Sequence, residues 1–244
     1  MRKTMSVIFR IICVRHGETE ANKVMKIQGH LDVPLSNVGE VQAAAAGVYL
    51  SSVSVTRAYS SDLLRAKTTC EIILEKNGFP KDKLKTDVRI RERNFGCVEG
   101  HYINEVLEMA KEEGKSWPSY TPPGGETLGQ LHERIVSFYK DLCQSMYDCA
   151  KRKNTLSCES DTEEQLNLSN SEIVLVVSHG AALRELYTHF EKNLNCEDIP
   201  ETESIAKITP NTGISEFVVK FSPRKYHMRC IRLNDASHLE SLKD

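Results

Sequence analysis

The sequence contains no long apolar run and no large excess of charge of either sign. None of its apolar stretches approaches the roughly 20 residues that a membrane-spanning helix needs, so we expect no membrane span. The formal net charge is −2 over 244 residues, which argues against nucleic acid as a partner of the chain as a whole. A site for an anionic substrate would therefore have to concentrate its arginines locally.

Cys-x-x-Cys pairs are also missing, although the chain has eight cysteines. The spacing typical of zinc ribbons is therefore absent. The even count would permit disulfides, but a chain of this size does not need them to fold. We expect free thiols in a reducing compartment.

The N-terminal segment MRKTMSVIFRIICVRHGE has basic residues before an apolar run, as a signal peptide does. Arg10 interrupts that run, and no small-residue cleavage site follows it. Cleavage would also remove the motif that begins at Arg15. The β-branched, apolar residues 7–14 instead predict a buried first strand.

Strand and helix patterns alternate along the chain. The strand patterns cover residues 7–14, 55–59, 84–90, 173–177, 213–221 and 228–233. The helix patterns cover residues 40–50, 62–76, 102–111, 126–150 and 181–193. This alternation predicts an α/β fold with a mainly parallel central sheet and helices on both faces, formed by a single domain over residues 1–244.

Local signals predict where several of these elements begin and end. Ser36 and Ser61 are candidate N-caps, and Asn77-Gly78 is a helix stop. Residues 117–125 are rich in proline and glycine and predict an irregular loop. Residues 151–171 are polar and predict a flexible surface loop within the domain.

Two predicted strands end in the same short motif. One runs into Arg-His-Gly at residues 15–17 and the other into Ser-His-Gly at residues 178–180. Ligands of parallel sheets bind beyond the carboxyl ends of the strands, so we expect His16 and His179 to face one anion. A neutral imidazole can attack phosphorus, and a protonated one can stabilise the phosphoryl oxygens. The alternative for either histidine alone is a hydrogen-bonded core residue.

Three further charged residues are candidates for chemistry on a phosphate. Arg15 and Arg65 could each grip phosphate through two parallel hydrogen bonds, although Arg65 could instead pair with Asp62 at i−3. Glu92 could protonate a leaving alkoxide and later activate water. Its alternative is a solvated ion pair with the arginines on either side.

The segment Arg15-His16-Gly17-Glu18-Thr19, with Asn22, resembles the signature of the histidine phosphatase superfamily, which also contains the cofactor-dependent phosphoglycerate mutases. Further matching segments follow in family order: Pro34-Leu35-Ser36 with Gly39 and Gln42, Ser60-Ser61-Asp62-Leu63-Leu64-Arg65-Ala66, Glu92 before Gly96, Gly124-Gly125-Glu126-Thr127, and Ser178-His179-Gly180. A lone Arg-His-Gly is weak evidence, whereas this ordered set is highly specific. The resemblance implies a phosphoglycerate mutase-like fold.

The resemblance also implies a role for each matching residue. His16 is the nucleophile and becomes phosphohistidine. Glu92 is the general acid and then the base for water. Arg15, Arg65 and His179 surround the phosphoryl group and supply positive charge, so neither a metal nor a cofactor is expected.

Substrate-binding residues are implied less firmly. Asn22, Gln28 and Gly29 are expected near the phosphate or the sugar, and Gly180 is expected to donate a backbone N–H. Tyr102 is a candidate by position only. His101, Lys115 and Trp117 are candidates on the same ground, and packing or surface roles fit them equally well.

Finer segments resemble the fructose-2,6-bisphosphatases within this family: Ile27-Gln28-Gly29, Gln42-Ala43-Ala44-Ala45-Ala46-Gly47, Thr121-Pro122-Pro123-Gly124-Gly125-Glu126-Thr127-Leu128 and Thr209-Pro210-Asn211-Thr212-Gly213. They imply hydrolysis of fructose 2,6-bisphosphate and hence a lower glycolytic flux. Fructose 1,6-bisphosphate, 2,3-bisphosphoglycerate, phosphoenolpyruvate and broad specificity stay open. We expect a cytoplasmic monomer that binds a small phosphorylated sugar, and the resemblance also allows nuclear or mitochondrial association.

Three other interpretations compete with this one. A metal-dependent hydrolase could use His16, His179 and Glu92 as ligands, but two neighbouring arginines would repel the ion. A mutase would return the phosphate to its substrate. Residues 112–120, however, lack the arginine pair that mutases carry there, and Asn94-Phe95 replaces their usual His-Tyr. A non-catalytic interaction protein would not need the complete motif set.

Overall fold

Strand β1 (Met5–Arg15) lies inside the central sheet, with neighbours on both sides. The computed structural model describes residues 5–117, 119–158, 171–200, 205 and 207–242. The other strands, in chain order, are β2 (Arg57–Ser60), β3 (Lys85–Thr86), β4 (Ser157–Cys158), β5 (Glu172–Ser178), β6 (Ile214–Ser222) and β7 (Lys225–Asp235). Their order across the sheet is β3-β2-β5-β1-β6-β7, and β4 pairs with the start of β1.

The sheet has a parallel part and an antiparallel part. Strands β3, β2, β5 and β1 run parallel to one another. Strand β6 runs antiparallel to β1, and β7 runs antiparallel to β6. The predicted mainly parallel sheet is therefore confirmed, and the two predicted closing strands form its antiparallel edge.

The described helices, in chain order, are α1 (Glu20–Lys23), α2 (Asn37–Tyr49), α3 (Leu64–Asn77), α4 (Ile103–Glu112), α5 (Leu128–Lys153) and α6 (Gly180–Leu194). They cover both faces of the sheet. Because side chains alternate along a strand, the two faces of β1 pack against different helices. Ile11 and Cys13 of β1 pack into a core with α5 and α6. Ile12 and Val14 pack into a second core with α2 and α3. No helix in the described part of the chain is long and apolar enough to cross a bilayer.

Some of the predicted helix ends are confirmed. The Ser36 hydroxyl accepts the Gly39 N–H at 3.1 Å and caps α2, and Gly78 ends α3 with φ +75°. The Ser61 prediction is wrong. Helix α3 begins at Leu64, and its N–H donates to Asp32 Oδ1 at 2.6 Å.

Two other predictions need correction. Residues 84–90 are not one strand: the Asp87 carboxylate accepts the Arg89 N–H and turns the chain into a short 3₁₀ helix, Val88–Ile90. The loop predicted over residues 151–171 is wrong at its start, because α5 continues to Lys153 and Ser157–Cys158 pairs with β1. Residues 159–170 of that predicted loop lie outside the described residues.

Candidate active site

The two histidines lie side by side at the carboxyl edge of the sheet. Strands β1 and β5 are paired up to Arg15 and Ser178, so the next residue on each is a histidine. The His16 N–H donates to the Ser178 carbonyl oxygen at 2.9 Å. The ring centroids of His16 and His179 are 5.1 Å apart, and both side chains are buried. The expected meeting of the two motifs is present in the structure.

His16 has the tautomer and charge state of a nucleophile. Its Nδ1 atom lies 2.7 Å from the Gly17 carbonyl oxygen, which can only accept. The proton is therefore on Nδ1, and Nε2 keeps its lone pair. Burial, together with the charges of Arg65 and Arg15, lowers the pKa of His16 well below 6.5. A neutral imidazole is therefore the stable form in this environment.

His179 differs from the imidazolium that the sequence predicts. Burial and the charges of Arg65 and Arg15 lower its pKa well below 6.5, so its ring is neutral in these surroundings. Both ring nitrogens are buried without a hydrogen-bond partner among the described residues. Buried polar atoms without partners are uncommon, and these two nitrogens remain available to hydrogen-bond an anion in the adjacent cavity. A phosphoryl dianion here would oppose the arginine charges and favour the protonated ring.

Arg65 is fixed by backbone carbonyl groups. Its Nη1 and Nη2 atoms donate to the carbonyl oxygens of Leu31 and Gly29, each at 2.8 Å, while Nε has no partner among the described residues. Burial lowers its pKa to about 10, so it stays a cation at neutral pH. The alternative pair with Asp62 is wrong, because Asp62 binds Arg91.

Arg15 is held in a similar way by the segment before β6. Its Nη1 donates to the Thr209 carbonyl oxygen at 2.8 Å, and its buried Nε has no partner within the described ranges. The Thr212 N–H donates to the Arg15 carbonyl oxygen at 3.1 Å. The Asn211 amide donates to the His16 carbonyl oxygen at 3.0 Å. Residues 209–213, the segment Thr-Pro-Asn-Thr-Gly of the sequence analysis, therefore hold the end of β1 in place.

Glu92 lies at the N-terminus of α6. Its carboxylate accepts the N–H of Ala181 at 3.1 Å, of Ala182 at 3.2 Å and of Arg93 at 2.8 Å. The backbone carbonyl oxygen of Glu92 accepts hydrogen bonds from Nε2 of His30 at 2.9 Å and from Nη2 of Arg134 at 2.8 Å. A carboxylate at a helix N-terminus complements the helix dipole.

The alternative role of Glu92, an ion pair with its neighbours, is wrong. Arg91 pairs with Asp62. Arg93 is buried and donates to the carbonyl oxygens of Glu126 and Tyr120.

Two glycines let the His16 loop pack against α2. A Cβ on Gly17 would lie 2.5 Å from the Gly39 carbonyl oxygen, and one on Gly39 would lie 2.0 Å from the Glu18 carbonyl oxygen. The Gln42 side chain accepts the Glu18 N–H at 2.9 Å. The motif around Gly39 and Gln42 thus positions the loop that carries His16 without contacting the cavity.

A cavity of about 190 Å³ opens at this edge of the sheet. It is lined by eight of the ten predicted site residues: Arg15, His16, Asn22, Gln28, Gly29, Arg65, Glu92 and Gly180. His179 contacts the ring of His16 instead. Tyr102 is half-exposed and does not line the cavity. Among the residues suggested by position, Trp117 lines the cavity, whereas His101 and Lys115 pair with Glu105 and Glu113.

Other lining residues were missed by sequence reasoning: Lys26, Ile27, Arg93, Phe95, Ile103, Ala181, Arg184 and Ile208. Phe95 and Trp117 stack with ring centroids 5.4 Å apart and form an apolar wall. Two signals could have found part of the set. Arg184 follows the second histidine by little more than one helical turn, and Lys26 is two residues before Gln28.

Within the part of the chain that the structure describes, no three His, Cys, Asp or Glu side chains are grouped as metal ligands. The two histidines lie instead beside Arg15 and Arg65, whose charges act on both rings. The site is therefore arranged for an anion.

Residues 11–150 match the family model described as histidine phosphatase superfamily, branch 1. The chain belongs to this superfamily. Its predicted class, a phosphatase, is confirmed by this match and by the relatives. The chain is 38% identical to fructose-2,6-bisphosphatase TIGAR of Mus musculus, with 97% of this chain and 98% of that protein covered. It is 40% identical to the Bos taurus protein of the same name, with 95% and 96% covered.

More distant relatives include a phosphoglycerate mutase-like protein 4 of Arabidopsis thaliana, 32% identical over 94% of this chain and 86% of that protein. Among solved structures, a phosphoglycerate mutase from Bacillus anthracis has a TM-score of 0.73 at 22% identity, with 98% of each chain covered. The phosphoglycerate mutase-like fold is therefore confirmed.

Proposed function

We propose that this chain hydrolyses fructose 2,6-bisphosphate to fructose 6-phosphate and inorganic phosphate through a phosphohistidine at His16, and that it thereby lowers glycolytic flux. One observation carries the chemical part. The neutral His16 shares a cavity with Arg15 and Arg65, and the Nε atoms of these arginines have no partner among the described residues. The choice of sugar is supported by the relatives named fructose-2,6-bisphosphatase, which match nearly the full chain.

The first step transfers the phosphoryl group to the enzyme. The Nε2 lone pair of His16 forms a bond to phosphorus while the bond from phosphorus to the sugar oxygen breaks. The Glu92 carboxyl group gives its proton to that oxygen, so the sugar leaves as a neutral alcohol. Arg15, Arg65 and His179 offset the charge that spreads over the three phosphoryl oxygens.

The second step releases phosphate. The Glu92 carboxylate takes a proton from water, and the resulting hydroxide attacks phosphorus. The bond between Nε2 and phosphorus breaks, and its electron pair returns to His16. Each group then has its starting protonation state, and no metal takes part in either step.

Phosphate release from a panel of small phosphoesters tests this proposal, with EDTA present and His16→Ala as the control. We expect the highest kcat/KM for fructose 2,6-bisphosphate, and neither turnover nor phosphoenzyme for the variant. A clear preference for another ester would leave the chemistry in place and overturn the substrate. Loss of activity with EDTA, or turnover by the variant, would overturn the mechanism.

A further inference from the structure

The cavity lining includes two cations that the proposed phosphoryl transfer does not use, Lys26 and Arg184. A third, Arg93, is already committed, since its Nε donates to the Glu126 carbonyl oxygen at 2.7 Å and its Nη2 to the Tyr120 carbonyl oxygen at 2.8 Å. The charged side-chain groups of Lys26 and Arg184 make no hydrogen bond or ion pair with any residue that the structure describes. Two such cations beside one anion site indicate a second anion.

The backbone around Lys26 is fixed on both sides. The Lys26 N–H donates to the Ala21 carbonyl oxygen at 2.8 Å, and Lys26 forms an antiparallel bridge with Tyr102. The Ile103 N–H donates to the Met25 carbonyl oxygen at 2.9 Å. These bonds tie the residue to the start of α4, so its position does not depend on a free loop.

Met25, the residue before Lys26, has a conformation that is unusual for its type. Its φ is +55°, in the left-handed region that favours glycine, and 62% of its surface is exposed. A non-glycine residue in this region is strained, and such strain clusters at functional sites. The exposed side chain offers no packing reason for the turn. The turn does bring the following residue, Lys26, to the cavity.

Tyr102 supports the Lys26 side chain. The ammonium nitrogen of Lys26 lies 4.7 Å from the centroid of the Tyr102 ring. This cation–π contact restricts a long, flexible side chain without neutralising its charge. The predicted substrate-binding role of Tyr102 therefore becomes a positioning role, exerted through Lys26.

We infer that Lys26, supported by Tyr102, acts with Arg184 to bind the phosphate of the substrate that is not transferred. This inference rests on the proposed function and extends it to specificity. The enzyme then selects small esters that carry two phosphate groups. One group lies between His16 and the arginines, and the other lies against Lys26 and Arg184.

Steady-state kinetics with two substrates tests the inference. We expect Lys26→Gln to raise KM for fructose 2,6-bisphosphate about tenfold, as for the loss of one charge-assisted hydrogen bond, and to leave kcat/KM for p-nitrophenyl phosphate within about twofold. Tyr102→Leu should raise the same KM about threefold, and Lys26→Arg should restore most of the affinity. Lys23→Gln is the matched control, because Lys23 is exposed and outside the cavity. Equal losses on both substrates would overturn the inference.

A binding measurement separates this inference from the proposed function. The His16→Ala variant lacks the nucleophile, so calorimetry with fructose 2,6-bisphosphate and with inorganic phosphate, which has no second phosphate group, can be carried out on intact ligands. We expect Lys26→Gln in this background to abolish most of the preference for the bisphosphate. An unchanged preference would overturn the second anion site. Failure of the wild-type enzyme to hydrolyse the bisphosphate, with the preference still dependent on Lys26, would overturn only the proposed function.

Discussion

The carboxylate of Glu92 accepts the N–H of Ala181 with both of its oxygens, each 3.1 Å from the nitrogen. Strand β5 ends at Ser178, and α6 begins two residues later, at Gly180. The carboxylate is therefore fixed to the same helix start that follows the second histidine. Its position relative to His179 is set by the backbone at the start of α6.

Replacement of Glu92 by glutamine tests its role as a proton donor. We expect Glu92→Gln to slow phosphorylation of the enzyme by fructose 2,6-bisphosphate about 10²–10⁴-fold, because a sugar alkoxide leaves poorly without a proton. p-Nitrophenolate leaves without one, so its burst phase should change far less. Rapid-quench measurement of the first turnover gives both rates. Exposed Glu191 on the same helix supplies the control Glu191→Gln, and equal losses on the two substrates would count against a proton-donor role.

The lowered pKa of His16 predicts the acidic limb of the pH–rate profile. A histidine with an ordinary pKa of 6.5 would become protonated and inactive as the pH falls through that value. Because the pKa of His16 lies well below it, kcat/KM should stay level through pH 6.5 and fall only at lower pH. The profile is measured with correction for ionisation of the substrate. A limb at the ordinary value would contradict a neutral buried nucleophile.

The pKa of His179 is also lowered, and this makes the free energy of unfolding depend on pH. Folding lowers the pKa of His179, so the ring stays neutral in the folded chain. In the unfolded chain the same ring becomes protonated below its ordinary pKa of 6.5. The contribution of His179 to the free energy of unfolding is therefore complete above pH 6.5 and is lost as the pH falls. Between about pH 7.5 and pH 5.5 we expect His179 to account for about 1 kcal/mol of the loss.

Urea unfolding of His179→Asn at the two pH values checks this expectation. The variant should lose less stability on acidification than the wild type, whereas His227→Asn, at an exposed histidine of β7, should behave as the wild type. An equal pH dependence for His179→Asn and the wild type would show that the ring is not held neutral.

The contact between Gly39 and Glu18 predicts a steric effect on stability. A Cβ at Gly39 would lie 2.0 Å from the Glu18 carbonyl oxygen, and neither backbone can move without moving the His16 loop. We expect Gly39→Ala to destabilise the fold by about 2 kcal/mol or more and to reduce activity. Gly129→Ala in α5 is the control, because its nearest contact is at 3.8 Å, and alanine there should stabilise by up to about 1 kcal/mol. Thermal unfolding that ranks the two variants in the opposite order would contradict this account.

The meeting of the two histidines was predictable from the sequence because the motifs are local. Each histidine directly follows a strand, and neighbouring parallel strands end together, so the pairing of His16 with His179 followed from two short segments. The failures involve partners that are distant in sequence. Leu64 begins α3 through Asp32, and Arg65 donates to Gly29 and Leu31, so neither Ser61 nor Asp62 has its predicted role. Lys26 and Arg184 were missed for the same reason, since only the fold brings them to one cavity.

The position of β1 in the sheet has a consequence for synthesis of the chain. β1 carries Arg15, leads into His16 and is translated before the strands beside it, since Arg10 pairs with Ile173 on one side and Val218 on the other. Both of its edges therefore stay unpaired until β5 and β6 have been translated. Contacts between residues this distant in sequence slow folding and expose the nascent strand to aggregation. The loop that carries His16 is therefore supported on both sides only after β6 has emerged, so we expect a chain whose translation stops before β6 to be inactive.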